Sequence, residues 1–175
     1  VVWISLGGGV LMLIACAVTG TMPRIGRRYL VTYAVGGALS VAAPMTLLAL
    51  AAPRLPSSVI TMIVVLAPLL SYLFALPVKL ERFRWLGIAG LLSALGGVLL
   101  ILLPEASLPE PGMAVWVLLT LLAPVSFACF NIFIDLYAPP REGGLQLGTG
   151  TLLGAGFIML PITAIANDFH LFPGP

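Results

Sequence analysis

The stretch from Ser57 to Leu103 leaves the fewest options open. It holds an apolar run interrupted by Pro68, a charged elbow from Val78 to Arg84 (VKLERFR), and a second apolar run carrying Gly87, Gly90, Gly96 and Gly97. Each run has roughly 20 residues, enough for a helix to cross a hydrocarbon layer about 30 Å thick, whereas the elbow is too short to hold a domain. The stretch reads as a transmembrane hairpin. Lys79, Arg82 and Arg84 assign its elbow to the cytoplasmic side, because short loops rich in Lys and Arg stay there.

Composition points the same way. Hydrophobic residues make up 61% of the 175 and charged residues 8%, with a mean hydropathy of +1.17. A soluble globule carries about 25% charged residues, so the expected solvent of this chain is a lipid bilayer. The net charge of +2 comes without a basic cluster interleaved with aromatics, and no nucleic-acid partner is expected. Cys16 and Cys129 sit inside apolar runs and read as small apolar fillers. The sequence starts at Val1 without a recognisable signal peptide and reads as a piece of a longer protein.

In chain order the expected spans are 1–21, 29–51, 57–77, 84–103, 113–137 and 145–166: an all-α polytopic transmembrane helix bundle. Gly7, Gly8 and Gly9 in the first span lack the Lys-Ser/Thr of a phosphate loop and suit close helix packing. Six spans alternate sides, which makes loop charge a test. Loops 21–28, 78–84 and 138–144, assigned to the cytoplasm, hold Arg24, Arg27, Arg28, Lys79, Arg82, Arg84 and Arg141, and the opposite side holds Arg54 alone. That asymmetry orients a multi-pass protein in a plasma (inner) membrane. The opposite-side loop with Glu105 and Glu110 has no basic residue. There is also an internal echo. At an offset of 147, Leu6, Gly7, Gly9, Met12, Leu13 and Ala17 match Leu153, Gly154, Gly156, Met159, Leu160 and Ala164. The echoing spans lie five helices apart and so run in opposite directions, as in inverted-repeat transporters.

Polar and helix-breaking residues mark the faces. Four spans hold an internal proline, Pro44, Pro68, Pro124 or Pro161; in lipid such a break is tolerated where protein or water reaches the freed carbonyl. Thr120, Pro124, Asn131 and Asp135 share one helical stripe, as do Thr61, Pro68 and Tyr72, and Tyr33, Gly37, Ser40 and Pro44. These stripes are the substrate-pathway candidates. Asp135 fits the membrane interface or a water-filled pathway, and Asn131 fits helix-to-helix glue or a substrate contact. Glu81 in the elbow suits exposed ion pairs or a role with a coupling proton. Gly87, Ala89, Gly90, Ser93 and Gly97 form a small-residue packing seam, within the molecule or in a homodimer. His170 is the only histidine, and neither a metal cluster nor a nucleophile-base pair can be assembled. No enzyme activity, metal or cofactor is expected.

The hairpin, with Pro68, Glu81 at the elbow, and Gly87 and Gly97 in the run after it, resembles the end of an EamA domain of the drug/metabolite transporter superfamily. Ser126-Phe127-Ala128-Cys129-Phe130-Asn131 resembles the start of that family's second repeat. Leu80 stands where the family usually has Gly, and Phe127 where it has Trp. The resemblance implies ten helices in two inverted five-helix repeats, of which this chain would hold helices two to seven. Residues 1–103 would be four helices of the first repeat and 104–175 the first two of the second. It implies export of small metabolites, amino acids or drugs by alternating access. The other reading is an integral-membrane scaffold or assembly subunit without transport.

Overall fold

The structure, a computed structural model, describes residues 2–82, 84–102, 114–140 and 142–165. Among them every regular element is helical: α1 Val2–Thr19, α2 Arg27–Gly37, a π turn Ala38–Ala42, α3 Ala43–Ala51, α4 Ser57–Val64, α5 Ala67–Ala75, α6 Trp85–Leu102, α7 Ala114–Tyr137 and α8 Gly144–Ile165. The acidic loop with Glu105 and Glu110, Arg141, and the segment with Asn167, Asp168 and His170 lie outside the described residues.

Two apolar runs are not single α-helices, and proline explains both. Pro44 has no N–H to donate, and its ring would collide with the carbonyl four residues back, that of Ser40. The chain widens into the π turn just before it, so that Arg27–Ala51 stays helical throughout. Pro68 acts at the other kind of break. The run stops at Val64 and restarts at Ala67 with Pro68 in the first turn of α5, where its missing N–H costs nothing. Pro124 and Pro161 lie within α7 and α8.

Among the described residues four helical runs are long and apolar enough to cross a membrane: Val2–Thr19, Arg27–Ala51, Ser57–Ala75 and Val115–Tyr137. Trp85–Gly97 is a shorter apolar stretch, and α8 is diluted by Gln146, Thr149 and Thr151. Only 17% to 28% of the four long runs is buried inside the chain. Apolar surface left open to that extent calls for lipid or further protein.

The chain forms two compact units, Val1–Ala42 with Leu136–Pro175, and Ala43–Asp135. In the first, α1 and α8 pack antiparallel: Leu6 meets Gly156, Gly9 meets Leu153 and Met12 meets Gly148, with numbers rising along one helix and falling along the other. These pairs are reciprocal. At the offset of 147 Leu6 corresponds to Leu153 and Gly9 to Gly156, so each leucine fills the notch of the other's counterpart glycine. Helix α2 crosses α8 where Gly37 and Gly154 bring backbone against backbone. Val2, Ala42 and Met159 close an apolar cluster beside them, backed by Leu6, Ile158 and Leu160.

In the second unit α4 lies beside α6, and Val59 and Ile63, one turn apart on α4, are buried. Thr120, Ala123, Pro124 and Ala128 form a buried stripe on α7. The Arg54 guanidinium lies 3.8 Å from the centre of the Trp116 ring, a cation–π contact. At the elbow Lys79 adopts a left-handed conformation (φ 58°). It lets the amides of Leu80 and Glu81 fold back onto the Ala75 carbonyl, at 3.1 and 3.4 Å.

Candidate functional site

Among the described residues of the first unit, a polar cluster forms where the loop after α1 meets the start of α8. Tyr33 is buried, with 7% of its surface exposed, and its ring packs on Gly150, where a side chain would collide with it. Its hydroxyl donates to Oε1 of Glu142 and lies 3.3 Å from the Arg24 carbonyl. A hydroxyl has one proton to give, and the carboxylate is the stronger acceptor. The Arg24 amide reaches the same Oε1 at 3.5 Å. Oε2 of Glu142 is buried and has no partner among the described residues.

Glu142 sits just before the first turn of α8, where the helix dipole favours a negative charge. One turn on, the Gln146 side chain donates to the Met22 carbonyl at 3.2 Å and accepts from the Gly143 amide at 2.7 Å. Two side chains of α8 and its approach thus strap the arginine loop down. Deeper in the unit, Cys16 Sγ lies 3.3 Å from Thr149 Oγ1, a buried polar link from α1 to α8. Sequence reading singled out Tyr33 but not Glu142 or Gln146. The signal for Glu142 was its isolation: a carboxylate beside Arg141 in a loop otherwise read as basic.

A groove of about 690 Å³ opens beside this cluster. Leu13, Leu30, Tyr33, Leu153, Phe157 and Ile158 line it, and Met22, Arg24 and Ile25 of the loop form one end. Its walls are apolar except for Tyr33 and Arg24.

The second unit holds the other candidates. The Tyr72 hydroxyl accepts from the Arg84 amide at 3.1 Å and donates to the Arg82 carbonyl at 3.3 Å, so it shapes the elbow. A pocket of about 390 Å³ there is lined by Tyr72, Glu81, Arg82, Arg84, Leu86 and Gly87. Thr61 donates to Ser57 O at 2.8 Å and Thr120 to Trp116 O at 2.7 Å, each satisfied within its own helix. Thr120, Pro124 and Pro44 are buried, Ser40 half-buried, and Thr61, Pro68, Asn131 and Asp135 exposed. The stripe read along α7 therefore turns inward at Thr120 and Pro124 and outward at Asn131 and Asp135. Among the small residues of α6, Ala89, Gly90, Ser93 and Gly97 are exposed. A Cβ added at Gly90, Gly96 or Gly97 would meet nothing within 4 Å.

The Asn131 amide of α7 donates to Ser71 Oγ of α5 at 2.9 Å. Ser71 in turn donates to Ala67 O at 2.9 Å. Asn131→Ala is expected to cost about 0.6 kcal/mol, the average for interhelical hydrogen bonds in membrane proteins. Unfolding of the purified protein in micelles measures it, and Asn131→Ala in a Ser71→Ala background is expected to cost less.

No family model, curated protein or solved structure matches this chain.

Proposed function

We propose that this chain belongs to a solute transporter, built of six membrane crossings here and related to the EamA-like family that its hairpin resembles. It exports small metabolites, amino acids or drugs by alternating access, with two inverted repeats rocking about a site near the bilayer midplane. The observation that carries the reading is the reciprocal packing of α1 on α8, Leu6 with Gly156 and Leu153 with Gly9. Two helices that echo in sequence and meet antiparallel through equivalent residues are what a local two-fold axis in the membrane plane produces. Seven basic residues in alternate loops against Arg54 alone support the orientation. The widened turn before Pro44 and the break before Pro68 add support, because transporter sites use interrupted helices.

Thiol accessibility in vesicles tests this reading, in a background with Cys16 and Cys129 replaced by alanine. Cysteines at Ser40, Thr61 and Asn131 are expected to react with a membrane-impermeant reagent, and cysteines at Leu118 and Leu122 to stay protected. The reverse pattern rejects the pathway. Solute flux in the same vesicles separates transport from the scaffold reading, which the exposed small-residue face of α6 favours.

A further inference from the structure

We propose that the groove of the first unit and the arginine loop at its end form a binding site for an anionic phospholipid. The inference needs the helices to lie in a bilayer and does not depend on transport.

Three observations converge. The groove runs along α8 from Gly150 to Ile158, about 12 Å at 1.5 Å per residue, close to the depth of one leaflet in a hydrocarbon core about 30 Å thick. Its walls suit an acyl chain, and Phe157 on its flank is 65% exposed. The end of the groove is cationic. Arg24 lines it, and Arg27 and Arg28 follow on the same loop and first turn of α2, all exposed. Ile25 among them is 90% exposed, and Met22 just before them is 53% exposed. Apolar side chains standing out of a basic segment suit the headgroup boundary, where the chain end meets acyl tails and the guanidinium groups meet phosphate.

Charge selects the occupant. Among the described residues Glu142 is the carboxylate at this loop, and its Oε1 is engaged by the Tyr33 hydroxyl and the Arg24 amide, so it holds the loop backbone while the guanidinium groups remain for a phosphate. A zwitterionic lipid fills the groove equally well but cancels its own charge at the loop. A basic residue near a membrane surface strengthens anionic-lipid binding about fivefold, and three of them on the order of 100-fold.

The test is native mass spectrometry of the delipidated full chain after addition of phosphatidylglycerol or phosphatidylcholine. Wild type is expected to retain phosphatidylglycerol on the order of 100-fold better. Replacing Arg24, Arg27 and Arg28 together by glutamine is expected to abolish the preference, and replacing them by lysine to keep most of it. Ala34→Trp, which fills the groove from an exposed position, is expected to lower phosphatidylglycerol binding with the arginines intact. Equal retention of the two lipids, or a glutamine variant with wild-type preference, overturns the proposal. So does absence of both lipids, the result if another helix occupies the groove, and so does displacement by millimolar inorganic phosphate, the result for a free-anion site.

Discussion

Gly37→Ala and Gly154→Ala are each expected to destabilise the protein by about 3 kcal/mol, the upper end for overpacking a tight interface. A Cβ on Gly37 would stand 2.5 Å from the Thr151 carbonyl oxygen and 2.9 Å from the Gly154 carbonyl carbon. One on Gly154 would stand 2.5 Å from the Tyr33 carbonyl oxygen and 2.9 Å from its carbon. All four neighbours are backbone atoms, and no rotamer change moves them. Relief requires α2 to lift away from α8, which opens the packing around Tyr33 as well. Because the two glycines lie at one crossing of α2 and α8, and the same separation relieves both, the double variant is expected to cost clearly less than the sum. Gly90→Ala and Gly97→Ala, with open space around them, serve as controls. They are expected to leave stability unchanged or raise it by up to about 1 kcal/mol through helix propensity. Denaturant unfolding in micelles measures all four. If Gly90→Ala proves as costly as Gly37→Ala, the close approach has been assigned to the wrong helices.

The same contrast shows how far the sequence could be read. Helix limits were legible because apolar runs, prolines and charged elbows act locally: the run expected at 84–103 is Trp85–Leu102, and the one at 113–137 is Ala114–Tyr137. The effect of proline was legible too, though not its form, a widened turn at Pro44 and a two-residue break before Pro68. Partners were harder. A glycine stripe states that close approach is allowed without naming the helix that approaches, so the α6 stripe stands out in the sequence while, among the described residues, the tightest contacts lie at Gly37, Gly150, Gly154 and Gly156. The echo between residues 6–17 and 153–164 implied antiparallel directions but named no contact, and the meeting of Leu6 with Gly156 and of Leu153 with Gly9 is visible only in the structure. Tyr33 was noticed for its phase on α2, but its hydrogen-bond partner lies 109 residues away. No local pattern encodes that separation. Nor does one encode the division of the chain near Ala42 and Leu136.

That distant pair carries the second large effect. Tyr33→Phe keeps the ring on Gly150 and the groove wall and removes only the hydroxyl, so its cost isolates the bond to Glu142. A hydrogen bond to a charged group contributes about 1.5 to 3 kcal/mol, and Oε2 already lacks a partner among the described residues, leaving the carboxylate poorly compensated once the hydroxyl is gone. A loss of about 2 kcal/mol is expected. Tyr33→Ala removes the ring as well and is expected to cost about 3 to 5 kcal/mol, as for other large aromatic truncations. Glu142→Gln retains an acceptor for Tyr33 and for the Arg24 amide, so it is expected to cost less than Glu142→Ala. The decisive measurement is the double-mutant cycle of Tyr33→Phe with Glu142→Ala. A coupling of about 1.5 kcal/mol or more places the stabilisation in this one bond. Strict additivity would show that Tyr33 matters through its ring alone, and that the loop is held to α8 by Gln146 and the backbone.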